Sequence, residues 1–341
     1  MKALFLAATK KVELREMERP KAGPGEVLVK TGAAGICGSD MHGFFGRSPR
    51  RQPGLVMGHE FFGTVAEAGA GVDRGLIGRR VSVNPLVPCN ACEMCRAGRQ
   101  NVCLDWYLIG MDQVPGAFAE YVKAPARQLF PLPDNVPDGE AVMVEPLANA
   151  VHLISMAPAH SGLLPTAAIW GGGTLGIAIL CVARLRGLRV VAVVEPNSRR
   201  AAVAKKLGAE HVLDPKTQDV VAEIRKLTGG HGVDVGIEAV GFPVCRQQSA
   251  AALIRGGTAL LLGIDHPETS FDFTDLVRRE IRLQCSYGYT PCNYREAFDI
   301  VAGRRIELEP WIDIVPLAEG QAAFDRLATD PGDRVKIALR P

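Results

Sequence analysis

Up to about residue 145 the apolar positions come in short runs broken by polar ones, as in Glu26-Val27-Leu28-Val29-Lys30 and Gly63-Thr64-Val65-Ala66-Glu67, with glycines and prolines between the runs. Short apolar stretches bounded by turn formers predict many short strands, hence a β-rich, barrel-like region. From about residue 165 the texture changes. Apolar runs at 167–170, 190–194, 233–237 and 259–262 alternate with longer charged segments of helical character. Strands alternating with helices predict βαβ units around a parallel sheet. The fold class expected is therefore α/β, a barrel-like part followed by a doubly wound one. The tail after about 288 is shorter and mixed, and is a candidate to return to the first part.

Length and charge then narrow the partners. A chain of 341 residues exceeds the roughly 250–300 at which one core divides, so two domains are expected. Its 39 basic and 37 acidic residues nearly balance, which disfavours nucleic acid and membrane surfaces and favours a small-molecule substrate. The stretch MKALFLAATKKVELREM holds too short an apolar run for a signal peptide. Residues 166–183 are apolar but interrupted by Gly171, Gly172, Gly173 and Gly176, which reads as a buried strand and helix rather than a membrane span. Nine cysteines without a targeting signal point to a reducing cytoplasm.

Four of those cysteines carry chemistry. Cys89, Cys92, Cys95 and Cys103 are spaced C-x2-C-x2-C-x7-C in loop-like sequence. Four thiolates that close complete a tetrahedral shell around Zn²⁺ with no open position, which makes the site structural. Disulfides and an iron–sulfur cluster are the competing readings; the first suits short secreted chains, and the context of the second half favours zinc. The rest of the thiols, Cys181, Cys245, Cys285 and Cys292, read as free and mostly buried.

After the apolar run ending at Trp170 comes Gly171-Gly172-Gly173-Thr174-Leu175-Gly176, a G-x-G-x-x-G that opens a helical segment. Glycines at these points let the backbone turn and approach a pyrophosphate, which meets the free N–H groups of the helix start. Glu195 ends the next apolar run, nineteen residues past Gly176, placed to accept hydrogen bonds from the adenosine ribose and to repel a 2′-phosphate. NAD is thus expected ahead of NADP, although Arg199 and Arg200 follow closely and an arginine suits a 2′-phosphate.

A third constellation is Cys37-Gly38-Ser39-Asp40-Met41-His42, then Gly58-His59-Glu60, then Glu145 in Val144-Glu145-Pro146-Leu147-Ala148. Cys, His and Glu all bind Zn²⁺, and three protein ligands leave a position for water or substrate. With the cysteine lobe, the glycine loop and Gly116-Ala117-Phe118-Ala119-Glu120-Tyr121, these motifs resemble the zinc-dependent medium-chain dehydrogenases, in particular their polyol and sorbitol dehydrogenase-like branch with its threonine and butanediol relatives. The resemblance runs to Arg334-Val335-Lys336-Ile337 and implies a GroES-like catalytic domain from 1–146 and 288–341, with the zinc lobe at about 86–104, a Rossmann NAD-binding domain from 147–287, and a site in the cleft between them.

By that likeness Cys37, His59 and Glu145 bind a catalytic zinc, and Glu60 approaches the metal and exchanges with water. Ser39 and His42 would relay the substrate proton by way of a cofactor ribose hydroxyl, and Asp40 would accept a hydrogen bond from the His59 ring and fix its tautomer. Val240 would lie toward the adenosine side; Gly263, Ile264, Ser286 and Tyr287 would approach the nicotinamide. The implied reaction is reversible oxidation of an alcohol, with two zincs per chain and a homotetramer or homodimer as the assembly. Glu145 in place of the second cysteine of classical alcohol dehydrogenases gives a harder ligand set. Phe44, Trp106 and Tyr107 are candidate pocket residues; Arg47, Arg50 and Arg51 read as a solvated loop ahead of an anion site. A non-catalytic nucleotide-binding relative would lack the zinc ligands, and a zinc module for nucleic acid would need basic clustering; the sequence fits neither.

Overall fold

The computed structural model describes residues 1–158 and 165–341. The chain divides into two compact units, Met1–Ala148 with Tyr289–Pro341, and Asn149–Gly288.

The first unit is built on a seven-stranded sheet. Glu26–Gly35 is central to it and pairs antiparallel with Glu60–Ala68, Tyr121–Pro125 and Lys336–Arg340, the last of which pairs parallel with Ile312–Pro316. Val27, Val29 and Val65 are buried in one core with Phe118, Phe324, Ile337 and Leu339; Leu28, on the opposite face of the strand, is buried too, while Lys30 points to solvent. Each buried Val or Leu of this kind contributes roughly 1.5–3 kcal/mol over an exposed one. Two registers bear on function. Gly35 pairs with Glu60, and Ala338 also pairs with Gly35, so the segments leading to Cys37, His59 and Lys336 meet at one end of three neighbouring strands. A hairpin of Leu86–Pro88 with Trp106–Leu108 closes the loop that carries the four cysteines.

The second unit is a six-stranded parallel sheet. Across it run His211–Leu213, Arg189–Val194, Thr166–Trp170, Val233–Glu238, Leu253–Leu261 and Arg282–Cys285, in chain order 3-2-1-4-5-6, the doubly wound order of dinucleotide-binding folds. Parallel strands covered by helices bury both faces, which explains the unbroken apolar runs in the sequence. The apolar segment that imitates a membrane span is the strand Thr166–Trp170 followed by the helix Thr174–Leu185, buried from Gly176 to Ala183. No helix among the described residues is long and apolar enough to cross a membrane. The largest side chain of this core, Trp170, donates its indole N–H to Gln248 at 3.1 Å and so leaves no orphan donor inside.

Candidate metal centre and cofactor loop

Cys37 ends the approach from strand Glu26–Gly35 and precedes the helix Gly38–Phe44. Its backbone N–H donates to Asp40 Oδ2 at 3.0 Å, a local clasp that fixes the first turn. Ser39 and His42, one turn apart on this helix, are both half-buried. Opposite, Gly58 takes φ +97° and a Cβ there would meet Phe118 at 2.7 Å; only glycine delivers His59 and Glu60 at this angle. The outcome is a cluster in which one ligand atom each from Cys37, His59 and Glu60 lies within 4.8 Å of the others, with His59 and Glu60 buried.

Glu145 is buried in the first turn of helix Val144–Ser155 but stands outside that close set. It belongs to the same neighbourhood: the Tyr289 hydroxyl, buried and without a well-formed hydrogen bond, lies beside it, and burial followed by the Glu145 charge pushes the phenol far above its ordinary pKa. Two cations complete the centre. Lys336 Nζ stands 2.5 Å from Glu60 Oε2 and donates to the Ile36 carbonyl at 3.0 Å, with both side chains almost fully buried. Burial opposes its charge, yet Glu60 and the Cys37 sulfur outweigh that and hold the ammonium above its usual pKa. Arg51 Nε pairs with Asp40 Oδ1 at 3.2 Å, also buried.

The donor set fits a divalent metal. With Cys37 as thiolate, the buried acids Asp40, Glu60 and Glu145 make four negative groups against the two cations Lys336 and Arg51. Two negative charges remain, and a neutral histidine with soft and hard donors beside it is the ligand chemistry of Zn²⁺.

The expected Asp40–His59 hydrogen bond stands at 3.6 Å, just beyond bonding reach; the facing oxygen Oδ1 also accepts Arg51 Nε at 3.2 Å. Other loop expectations are corrected. Phe44 is core rather than pocket, 1% exposed with its ring 5.0 Å from Phe324. Arg51 is not solvated; only Arg47 is exposed, while Arg50 pairs with Asp112 at 2.6 Å and lies 4.4 Å over the Trp106 ring.

The cysteine lobe is equally compact. Cys89, Cys92, Cys95 and Cys103 share one cluster, with Sγ–Sγ separations of 3.4 to 3.9 Å between neighbouring sulfurs; all nine cysteines of the chain are free thiols, but of the four outside the metal sets only Cys181 is buried, Cys245 being half-buried and Cys285 and Cys292 exposed. Backbone N–H groups of Ala91 and Cys92 donate to the Cys89 sulfur at 3.4 and 3.3 Å and pull its pKa down, which suits a thiolate ligand. Cys95→Ala is expected to release one zinc per chain, read by metal analysis, and to lower the thermal midpoint, because the loop has little other core.

In the second unit Gly171 leaves the strand at φ +103°, Gly173 precedes the helix, and a Cβ on Gly176 would collide with the Gly171 carbonyl oxygen. Thr174 and Leu175 form the first turn of that helix. Buried Glu195 accepts the N–H of Gly172 at 2.7 Å and of Asn197 at 2.8 Å, so the carboxylate is anchored to the glycine loop itself. Arg200 is half-buried, and its guanidinium lies 3.8 Å from where a Cβ on Gly173 would be; Arg199 is exposed. Val240 packs against Gly171, and Gly263 packs on Gly241, beside the exposed Ile264. Ser286 is buried and Tyr287 exposed after the last strand. These residues follow the carboxyl ends of their strands, where doubly wound sheets bind ligands. Glu238, in the Glu238-Ala239-Val240-Gly241 segment that the sequence places near the adenosine side, anchors this rim by accepting the N–H groups of Val240 at 2.7 Å and Gly241 at 2.5 Å, a role its sequence does not announce. Sequence reasoning missed Lys336 and Tyr289; a lysine inside the apolar run Val335-Lys336-Ile337-Ala338-Leu339 was the available signal for the former.

Residues 23–134 match the alcohol dehydrogenase GroES-like domain and residues 174–303 the zinc-binding dehydrogenase domain. Sorbitol dehydrogenase of Bacillus subtilis is 31% identical over 349 residues, spanning 100% of this chain and 97% of its own length. The chain belongs to the zinc-binding alcohol dehydrogenase family. Another member, L-threonine 3-dehydrogenase of Pyrococcus abyssi, is 39% identical over 268 residues, 78% of this chain and 76% of that protein. The crystal structure of a putative zinc-binding dehydrogenase from Sinorhizobium meliloti bound to NADP superimposes with a TM-score of 0.90 at 32% identity, covering 100% of this chain and 99% of that one. As a zinc-binding alcohol dehydrogenase the protein is an NAD(P)-dependent oxidoreductase of alcohol substrates with a GroES-like and a Rossmann part.

Proposed function

We propose that this dehydrogenase oxidises a secondary alcohol of a polyol, sugar alcohol, cyclitol or diol to a ketone, reversibly, with two zincs per chain and NAD as the preferred acceptor. The observation that carries the reading is the Cys37–His59–Glu60 cluster, half-buried at Cys37 and buried at the other two, with Glu145 and Lys336 around it. Cys37, His59 and a carboxylate from Glu60 or Glu145 would hold the catalytic ion, and Cys89, Cys92, Cys95 and Cys103 the structural one. Bound there, zinc supplies a Lewis acid that favours the alkoxide near neutral pH, and the nicotinamide supplies the hydride acceptor.

This chain's own groups do the rest. Ser39 Oγ takes the proton from the substrate hydroxyl, and His42, one turn further along the same helix, passes it toward solvent. Asp40 Oδ1, 3.6 Å from His59 Nδ1, is placed to close a hydrogen bond that would hold the ring in the orientation of a ligand. Carboxylates in place of a second thiolate give a harder centre that tolerates hydroxyl-rich substrates. Zinc per chain, measured with NADH formation on a panel of polyols, cyclitols, diols and amino alcohols, tests this; two zincs with activity on secondary alcohols is the expected result, and reaction of primary alkanols alone overturns it. The second reading, a threonine-like amino alcohol, is favoured by the 39% identity to L-threonine 3-dehydrogenase and is decided by the same panel.

Glu195 supports NAD, since its carboxylate is fixed at the end of the strand where the adenosine ribose would lie. Glu195→Ser is expected to lower kcat/KM for NAD by about tenfold or more, the worth of one charged hydrogen bond, and to raise it for NADP through Arg200. Parity of the two nucleotides in the unaltered enzyme would count against the preference. The reading extends to a homo-oligomer: Arg282–Cys285 is an edge strand with open backbone groups, and Phe273 and Val277 beside it in sequence are 66% and 72% exposed. Val277→Asp is expected to reduce the mass seen by light scattering. Nine free thiols accord with a reducing cytoplasm.

A further inference from the structure

Arg51 sits in a run with Arg47 and Arg50 that reads as solvated sequence, yet its side chain is 6% exposed. Room for it is made on purpose by Gly43, where a Cβ would stand 2.7 Å from Arg51 Cβ. Its Nη1 meets Met111 Sδ at 3.6 Å, a weak partner for a buried guanidinium; among the described residues its one ion-pair partner is Asp40, which is fully buried, with the Asp112 charge further off. An arginine withdrawn from water to pair with one buried carboxylate carries a large desolvation cost and calls for a role.

The Asp40 carboxylate links three elements. Oδ2 accepts the Cys37 backbone N–H at 3.0 Å; Oδ1 faces Arg51 Nε at 3.2 Å and His59 Nδ1 at 3.6 Å. We propose that Arg51 is a positioning residue of the metal centre: it anchors the Asp40 oxygen that orients His59, and through the Cys37 clasp it ties the two ligands together. This rests on the reading of Cys37 and His59 as zinc ligands. Held by Arg51 in one rotamer, Oδ1 faces the Nδ1 side of the His59 ring and leaves the Nε2 side for the metal. Without the guanidinium, Oδ1 is free to turn, and the His59 ring and the first turn after Cys37 loosen with it.

The test compares the full-length protein with Arg51→Met and Arg51→Lys, following zinc loss to a chelator and the visible spectrum after replacing the catalytic ion with Co²⁺. Partners that orient ligands are worth about 10–100-fold in metal affinity. Arg51→Met is expected to lose one of two zincs at least tenfold faster, with an altered Co²⁺ spectrum and normal retention by the cysteine lobe, which reports an intact fold; Arg51→Lys recovers part of the loss. Unchanged loss rates and spectrum in Arg51→Met overturn the proposal. If Arg51→Met loses both zincs by misfolding, Arg51→Lys decides, and its equality with the unaltered protein overturns the role. A starting protein that holds a single zinc, indifferent to Cys37→Ser, instead removes the metal reading beneath it.

Discussion

Cys37→Ser is expected to leave a folded protein with one zinc per chain and almost no dehydrogenase activity. A thiolate donor is lost from a cluster of three gathered ligand atoms, and a serine hydroxyl is both a weak ligand and neutral at working pH. Since a bound metal provides several kcal/mol of transition-state stabilisation, and each 1.36 kcal/mol is tenfold, kcat/KM should drop by about 10³-fold or more. Metal analysis and steady-state rates on the same sample check it. Retention of both zincs with activity within tenfold would mean that Cys37 is not a ligand.

Lys336→Met carries the largest expected effect on stability. The ammonium is the only cation within ion-pair distance of Glu60 among the described residues, and the pair is withdrawn from water to within 2% exposure on both sides. Removing one partner of a buried ion pair leaves a charge uncompensated and costs about 3–5 kcal/mol. Urea unfolding, with the midpoint taken at constant slope, reads it. Lys336→Met combined with Glu60→Gln should recover most of that loss, because neither charge is then orphaned; an additive double variant would show that the two do not interact. Zinc bound as proposed would change the arithmetic in a useful direction, since Glu60 would then have a second cation to face. The single variant is therefore expected to be less impaired with metal than after its removal.

The contrast between Lys336 and the glycine loop shows what a sequence can display. Gly171 to Gly176, the apolar strand before them and Glu195 after them lie within one supersecondary unit, so spacing and geometry are nearly the same information. The same holds for the cysteine lobe, whose four sulfurs come from fifteen consecutive residues, and for the change of texture at about 165 that separates barrel strands from βαβ units. Cys37, His59, Glu60 and Glu145 were legible only through a family resemblance, since nothing local says that a Cys and a Gly-His-Glu twenty residues on will converge. Lys336 and Ile36 are 300 positions apart and meet because Lys336–Arg340 and Glu60–Ala68 both pair with one strand. Arg51 was misread for a different reason: three arginines in five positions look alike, and what separates them is the vacancy at Gly43, a property of packing that no local pattern records. Phe44 failed in the same way, an aromatic in loop-like sequence that the Phe324 ring draws into the core.

The strand Lys336–Arg340 also dictates an order of events during synthesis. The ribosome makes Asn149–Gly288, a contiguous unit with its own core, well before it makes Lys336, so the cofactor-binding part is free to fold while the barrel is still missing the strand that pairs with Ala34 and Gly35. Until that strand arrives, the carboxylate of Glu60 has no buried ammonium to face. The proposed ligands Cys37 and His59 therefore stand in the chain long before the ammonium that neutralises their neighbour, whereas the four cysteines of the lobe are all in place by residue 103.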